Sequence, residues 1–293
     1  TLRRGGRFVY ALDVTSPANP KFLWKKSNLD TGYSELGQTW SEMTPFLRSD
    51  GLPLLIFGGG YDPAVEDRGF VAGSYQNPPS TTKTMGRAIF IVNAETGAIV
   101  KSFGPADGLT DSIPSGVALV SNLMTGVVRY AYVGDTGGNL WRVNFNSSFG
   151  QPSATASDWT LRKVAALGDP SDTSKTGANA RKFLYPPNIL PISGGGYSLF
   201  IGSGDREKPF ETTVVNRFYR INDKPDANLT LSCTPGDQTS CTCTDSAGAS
   251  TACTLYDATS ANANTTVPGT ASGWFMTLAS GEKTVGSAVT DID

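Results

Sequence analysis

Four stretches of this chain align with one another without a gap, at residues 7–13 (RFVYALD), 87–93 (RAIFIVN), 138–144 (GNLWRVN) and 216–222 (NRFYRIN). Each carries an aromatic ring in fourth place (Tyr10, Phe90, Trp141, Tyr219), an apolar residue in sixth (Leu12, Val92, Val143, Ile221) and Asp or Asn in seventh (Asp13, Asn93, Asn144, Asn222). Alternation of period two, closed by a turn-forming side chain, describes a strand with one buried face. Three of the four follow a short apolar run ending in glycine, at residues 54–58 (LLIFG), 131–134 (AYVG) and 198–202 (SLFIG). Such runs suit strands covered on both faces, with glycine where another backbone comes close. One run of each kind makes a blade. Irregular spacing between blades predicts an all-β chain, an incomplete or modified β-propeller built from repeated antiparallel sheets with long inserted loops. Residues 274–278 (WFMTL) and 285–289 (VGSAV) read as the outer strand of one blade and the inner strand of the next, and residues 7–13 lack an inner partner upstream.

Composition agrees. Glycine fills 33 positions, charged residues make up 17%, and no stretch keeps helical periodicity for three turns. The whole chain, residues 1–293, is expected to form one propeller-like domain of a longer protein, since Thr1-Leu2-Arg3-Arg4 does not open a signal peptide. Residues 62–86 and 146–182 are polar and read as surface loops. A net charge of -2 gives no reason to expect a nucleic-acid partner, and no apolar stretch is long enough for a membrane span. The absence of histidine excludes Ser-His-Asp and Cys-His catalysis and any histidine-based zinc or copper site.

All four cysteines, Cys233, Cys241, Cys243 and Cys253, fall in residues 225–272, an insert rich in Ser, Thr, Ala and Asn. An even, clustered set reads as two disulfides shaping a segment that cannot order itself by apolar burial, and it implies an oxidising compartment. Cys241 and Cys243 stand too close to bond each other, so each is expected to bond outward. Cys233 with Cys241 and Cys243 with Cys253 is preferred, and the crossed pairing stays open. A four-cysteine zinc site competes, but only Cys241 and Cys243 are close, so the usual two pairs are not formed.

Residues 130–143 (YAYVGDTGGNLWRV), 57–63 (FGGGYDP), 86–99 (GRAIFIVNAETGAI) and 202–209 (GSGDREKP) together resemble the C-terminal propeller domain of the PilC/PilY family, large secreted proteins of Gram-negative bacteria. The block holding Gly134, Asp135, Gly138, Asn139 and Trp141 is its most specific part. The resemblance implies a type IV pilus biogenesis factor and tip-associated adhesin, passing through the periplasm to the cell surface and pilus tip. Its partners would be pilus subunits or minor pilins and a host-cell or surface receptor. The family often carries a calcium loop just before that block, and the corresponding residues here are Ser121, Leu123, Thr125, Gly126 and Arg129. Calcium takes about six to eight oxygen ligands, mostly carboxylates, and this loop has none. It is expected to be metal-free, with Arg129 bonding nearby carbonyls in place of the ion. Asp62, Glu66 and Asp67 are then the alternative place for calcium.

Two other readings come from local chemistry. Residues 93–97 (NAETG) resemble turns of quinone-cofactor dehydrogenase propellers, but no residue set marks a cofactor cavity, and no cofactor is expected. A carbohydrate-binding propeller would stack sugars on exposed tryptophans among Trp24, Trp40, Trp141, Trp159 and Trp274, of which Trp141 and Trp274 occupy strand positions better explained by packing. Asp205, Arg206 and Glu207 read as turn charges, with Arg206 paired locally, and the chain is expected not to be an enzyme.

Overall fold

The computed structural model describes residues 1–122, 124–146, 151–260 and 265–290. Two compact units emerge, the first made of Thr1–Asp67, Pro78–Val133 and Val143–Leu161, the second of Arg68–Asn77, Gly134–Arg142 and Arg162–Asp293. Regular structure among the described residues is almost entirely strand, with one helical turn at Pro63–Glu66 and two 3-10 turns.

In the first unit, β1 (Phe8–Asp13) pairs antiparallel with β2 (Lys21–Ser27). The strands β3 (Thr44–Leu47), β4 (Pro53–Gly58), β5 (Ile89–Asn93) and β6 (Ile99–Phe103) form a four-stranded antiparallel sheet in that order. The strand β7 (Ala118–Ser121) pairs with β8 (Val128–Gly134). The two repeated elements meet as read from the sequence, Leu54 opposite Asn93 and Gly58 opposite Ile89. The half-exposed reading of residues 87–93 does not hold, because Ile89 to Val92 are all buried. A central strand is covered on both faces whatever its own alternation suggests.

β1 departs in another way. Tyr10 and Leu12 are 43% and 46% exposed, whereas Val9 is buried in a cluster with Trp24, Tyr33, Leu36, Phe57 and Phe90. Its phase is thus one residue off that of residues 216–222, where Tyr219 and Ile221 are buried, and a one-residue slip exchanges the two faces of a strand. Residues 139–143, like 89–92, are buried on both faces. In the FGGGYDP motif, a Cβ on Gly58, Gly59 or Gly60 would come within 2.6 Å of the backbone oxygen of Ile113, Gly86 or Gln38 respectively. The glycines are therefore required by three separate backbones that converge on the end of β4.

The second unit contains most of β9 (Asn139–Asn144) and of β10 (Thr160–Ala166), and β11 (Asn188–Pro191), β12 (Tyr197–Gly202), β13 (Arg217–Asp223), β14 (Thr230–Cys233), β15 (Cys241–Thr244), β16 (Ser250–Cys253), β17 (Tyr256–Asp257) and β18 (Gly273–Thr277). Its five-stranded sheet has the order β11-β12-β13-β18-β17, antiparallel except for the last pair. Here the expected alternation is met, since Arg217, Tyr219 and Ile221 are buried and their neighbours less so. β18 is the outer strand anticipated at residues 274–278, but residues 285–289 form no strand, and Val285 and Val289 lie exposed at 67% and 92%. With Gly286, Ser287 and Ala288 between them, two exposed valines do not supply an apolar face to hold a ladder.

Residues 146–182 are not merely a surface loop. They supply β10 and bury Trp159, Val164, Leu167 and Arg181. Residues 62–86 likewise include the turn Pro63–Glu66, whose Val65 and Glu66 are buried. Of the four turn-forming side chains, Asp13, Asn93 and Asn144 each accept the backbone N–H two residues on, as expected. Asn222 instead accepts the Ser198 hydroxyl across the sheet at 2.9 Å, because β13 continues through its position. Repeated antiparallel sheets, none closed among the described residues, make the chain an all-β, incomplete β-propeller.

Candidate functional site

The motif residues 134–141 build a turn around one carboxylate. Asp135 is fully buried, and its Oδ1 accepts the backbone N–H groups of Gly137 (2.8 Å) and Asn139 (2.9 Å). Its Oδ2 accepts Asn139 Nδ2 (2.9 Å) and Trp141 Nε1 (2.8 Å). Gly138 lies at φ +78, and a Cβ there would meet the Gly168 backbone at 2.7 Å. Gly134 meets the Phe183 side chain in the same way at 2.5 Å. The block is thus one self-contained device: two glycines allow close approach, and the buried acid is satisfied by the residues that follow it.

Of the degenerate calcium loop, Leu123 lies outside the described residues. The turn is closed by Asn122, whose Oδ1 accepts the N–H groups of Met124 (2.9 Å) and Thr125 (3.2 Å), with Gly126 at φ +68. Ser121 ends β7, Thr125 Oγ1 accepts the Val127 N–H, and the Arg129 guanidinium stands 5.9 Å above the Tyr130 ring. The alternative acids do not converge either. Asp62 caps the turn at Pro63–Glu66 and accepts Thr84 N–H, Glu66 accepts the Ser112 hydroxyl, and Asp67 makes a two-pronged ion pair with Arg4. Among the described residues no three Asp, Glu, Cys or His side chains gather as a metal cage would require.

For the loop at residues 121–129 the expected result is that chelator leaves the melting temperature unchanged and calorimetry finds no calcium site tighter than millimolar. A calcium-dependent rise in melting temperature abolished by Thr125→Ala would refute it.

Arg206 pairs with Glu207 at 3.8 Å, as read, and donates to the Tyr185 hydroxyl at 2.7 Å. Asp205 has partners the sequence did not suggest, Lys182 at 3.0 Å and Lys208 at 2.8 Å. Burial alone would raise the Asp205 carboxyl, but the two lysines outweigh it and hold its pKa below the ordinary value. Trp24, Trp40, Trp141 and Trp159 are all buried, and Trp274 packs on Phe200 and Phe218, so the tryptophans are not an exposed row for sugars.

The cysteine segment forms a three-stranded meander. Its bonds are Cys233–Cys241 and Cys243–Cys253. Cys233 lies directly opposite Cys241, and Cys243 sits two residues along β15 on the same face, so each reaches a different neighbouring strand. The meander is welded to the unit: β14 pairs in parallel with β10, and buried Gln238 accepts the Tyr219 hydroxyl (2.6 Å) and donates to the Leu167 carbonyl (2.5 Å). Cys233, Cys241 and Cys243 are buried, while Ser232, Thr242 and Ala252, paired across the three strands, are exposed. One face thus carries the two disulfides and the other an exposed row of small side chains.

A family model described as the PilY1 beta-propeller domain matches residues 1–180. A curated relative, type IV pilus biogenesis factor PilY1 of Pseudomonas aeruginosa, is 28% identical over 251 residues, covering 80% of this chain and 20% of the relative. A homolog of that factor in Xylella fastidiosa is 31% identical over 148 residues, covering 50% of this chain and 10% of its own length. The chain therefore spans about a fifth or less of these relatives. The crystal structure of the Pseudomonas aeruginosa PilY1 C-terminal domain superimposes with a TM-score of 0.62 at 21% identity, covering 95% of this chain and 58% of that one, and shares its fold. No helix among the described residues is long and apolar enough to cross a membrane.

Proposed function

Because the chain belongs to the PilY1 β-propeller family, we propose that it is part of a secreted type IV pilus biogenesis factor that also serves as a tip-associated adhesin. It acts by binding pilus subunits or minor pilins and a surface receptor, and not by catalysis. The family match over residues 1–180 carries this reading. The two disulfides add to it, since they fit an oxidising periplasmic or extracellular setting.

Within that role the rigid sheets dock on the pilus and the exposed row of the meander contacts the receptor. Removing all of residues 225–272 would also strip Tyr219 of Gln238, so the cleaner change is on the surface. In the full-length protein produced in its own host, Ser232→Arg with Thr242→Arg should leave pilus number unchanged and lower surface attachment several-fold. Equal loss of pili and attachment would show that the two tasks are not divided this way. Normal attachment would remove the meander from the contact.

A further inference from the structure

The second unit holds a cavity of about 530 Å³ that neither the motif turn nor the exposed row of the meander accounts for. Its lining comes from both sheets, with Val164 of β10 and Leu231 of β14 from one and Arg220 and Asn222 of β13 from the other. Ordinary small-ligand sites span roughly 300–1,000 Å³, so the volume suits a ligand of a few residues or fewer. Val164 and Leu231 are buried, and Leu229 in the same lining is 39% exposed, so part of the wall is aliphatic.

Arg220 and Asn222 stand two residues apart on β13 and share one face of it. Ser198, directly opposite Asn222 on β12, ties the two together. Arg220 Nε donates to the Ser198 hydroxyl oxygen at 2.9 Å, and that hydroxyl donates to Asn222 Oδ1 at 2.9 Å. Both side chains are thereby oriented. With Nε committed, the guanidinium keeps its end-on fork, Nη1 and Nη2, and with Oδ1 committed the amide keeps its Nδ2 donor. Among the described residues none of these three nitrogens has a protein partner. Lys224 adds a second cation to the lining, and Asp223, which also lines it, is bound to Arg142 at 2.7 and 2.5 Å.

An oriented guanidinium fork beside a directed amide donor matches the two oxygens of a carboxylate, which accepts two parallel bonds from arginine. Inorganic oxyanions would suit the fork too, but the aliphatic part of the wall favours a ligand with carbon beside its charge. We propose that this cavity binds a carboxylate flanked by an aliphatic group, the combination presented by the free C-terminal residue of a peptide chain. The site does not depend on the meander being the receptor contact.

N-acetylleucine is the probe and its amide the control, titrated into the purified chain by calorimetry. The acid should bind with a Kd of about 0.1–1 mM, and the amide about tenfold more weakly or worse. The tripeptide acetyl-Ala-Ala-Leu with a free carboxylate should bind at least as tightly as N-acetylleucine. Arg220→Gln should weaken the acid by about tenfold or more, and so should Asn222→Asp. The second change preserves shape and the bond from Ser198, and it places a fixed carboxylate beside Arg220 that competes for the fork. Equal binding of acid and amide, unchanged binding in Asn222→Asp, or a tripeptide weaker than N-acetylleucine would each overturn the proposal. Tighter binding of sulfate, or of the sugar acid N-acetylneuraminate, would overturn it as well.

Discussion

Asp135→Asn is expected to destabilise the chain by roughly 3–5 kcal/mol, a large share of the stability of an ordinary domain. The carboxylate accepts from Gly137, Asn139 and Trp141 while being fully buried. Hydrogen bonds to a buried charged group are worth about 1.5–3 kcal/mol each, although those sharing one acceptor do not simply add. An amide in its place keeps the shape but turns an N–H₂ toward donors on at least one side, so donor faces donor in a buried site. Trp141→Phe deletes one donor and keeps most of the ring, and should cost far less, about 1–2 kcal/mol. Urea unfolding of the three proteins gives the comparison. If Asp135→Asn loses less than Trp141→Phe, the carboxylate does not organise the turn.

The strands of this fold were legible because period two survives in the sequence wherever one face is wet, as in β13. Turn chemistry was legible at Asp13, Asn93 and Asn144 because an Asx side chain bonds its own backbone, a local event needing no tertiary information. The spacing of Cys241 and Cys243 excluded a bond between them and left two pairings, and only the strand register and bonds of the meander decide for Cys233–Cys241 and Cys243–Cys253.

What failed to show depends on neighbours that arrive from far along the chain. Burial of β5 on both faces comes from covering segments, and the slipped phase of β1 comes from Val9 joining Trp24 in the core. Asp135 was legible as a family signature, but its use as a common acceptor was not. Lys182, one of the two lysines at Asp205, was hidden for the same reason, since it lies 23 residues away in sequence. The acids Asp62, Glu66 and Asp67, within six residues of one another, turn to three different partners.

Asp223→Ala should be the other severe substitution. Arg142 on β9 and Asp223 at the end of β13 are 3% and 2% exposed in their side chains, and Arg142 Nη1 lies 2.7 Å and 2.5 Å from the two carboxylate oxygens. Arg142 Nη2 also donates to Asn228 Oδ1 at 2.6 Å, so the guanidinium ties β9 to the segment that leads into the meander. Losing the carboxylate would take this counter-charge away from a buried guanidinium that stands beside Arg162, whose pKa is already lowered by burial and by Arg142. Breaking a buried pair from one side costs about 3–5 kcal/mol, whereas replacing both partners with apolar residues of similar volume is often close to neutral. Asp223→Ala alone is therefore expected to fall in that range, and Arg142→Met combined with Asp223→Leu to stay within about 1–2 kcal/mol of the parent. Because the pair is shielded from solvent, the loss in Asp223→Ala should change little between low and high salt, unlike that of a surface pair. A double variant as unstable as the single one would locate the damage in packing at position 223, with the stranded charge contributing nothing.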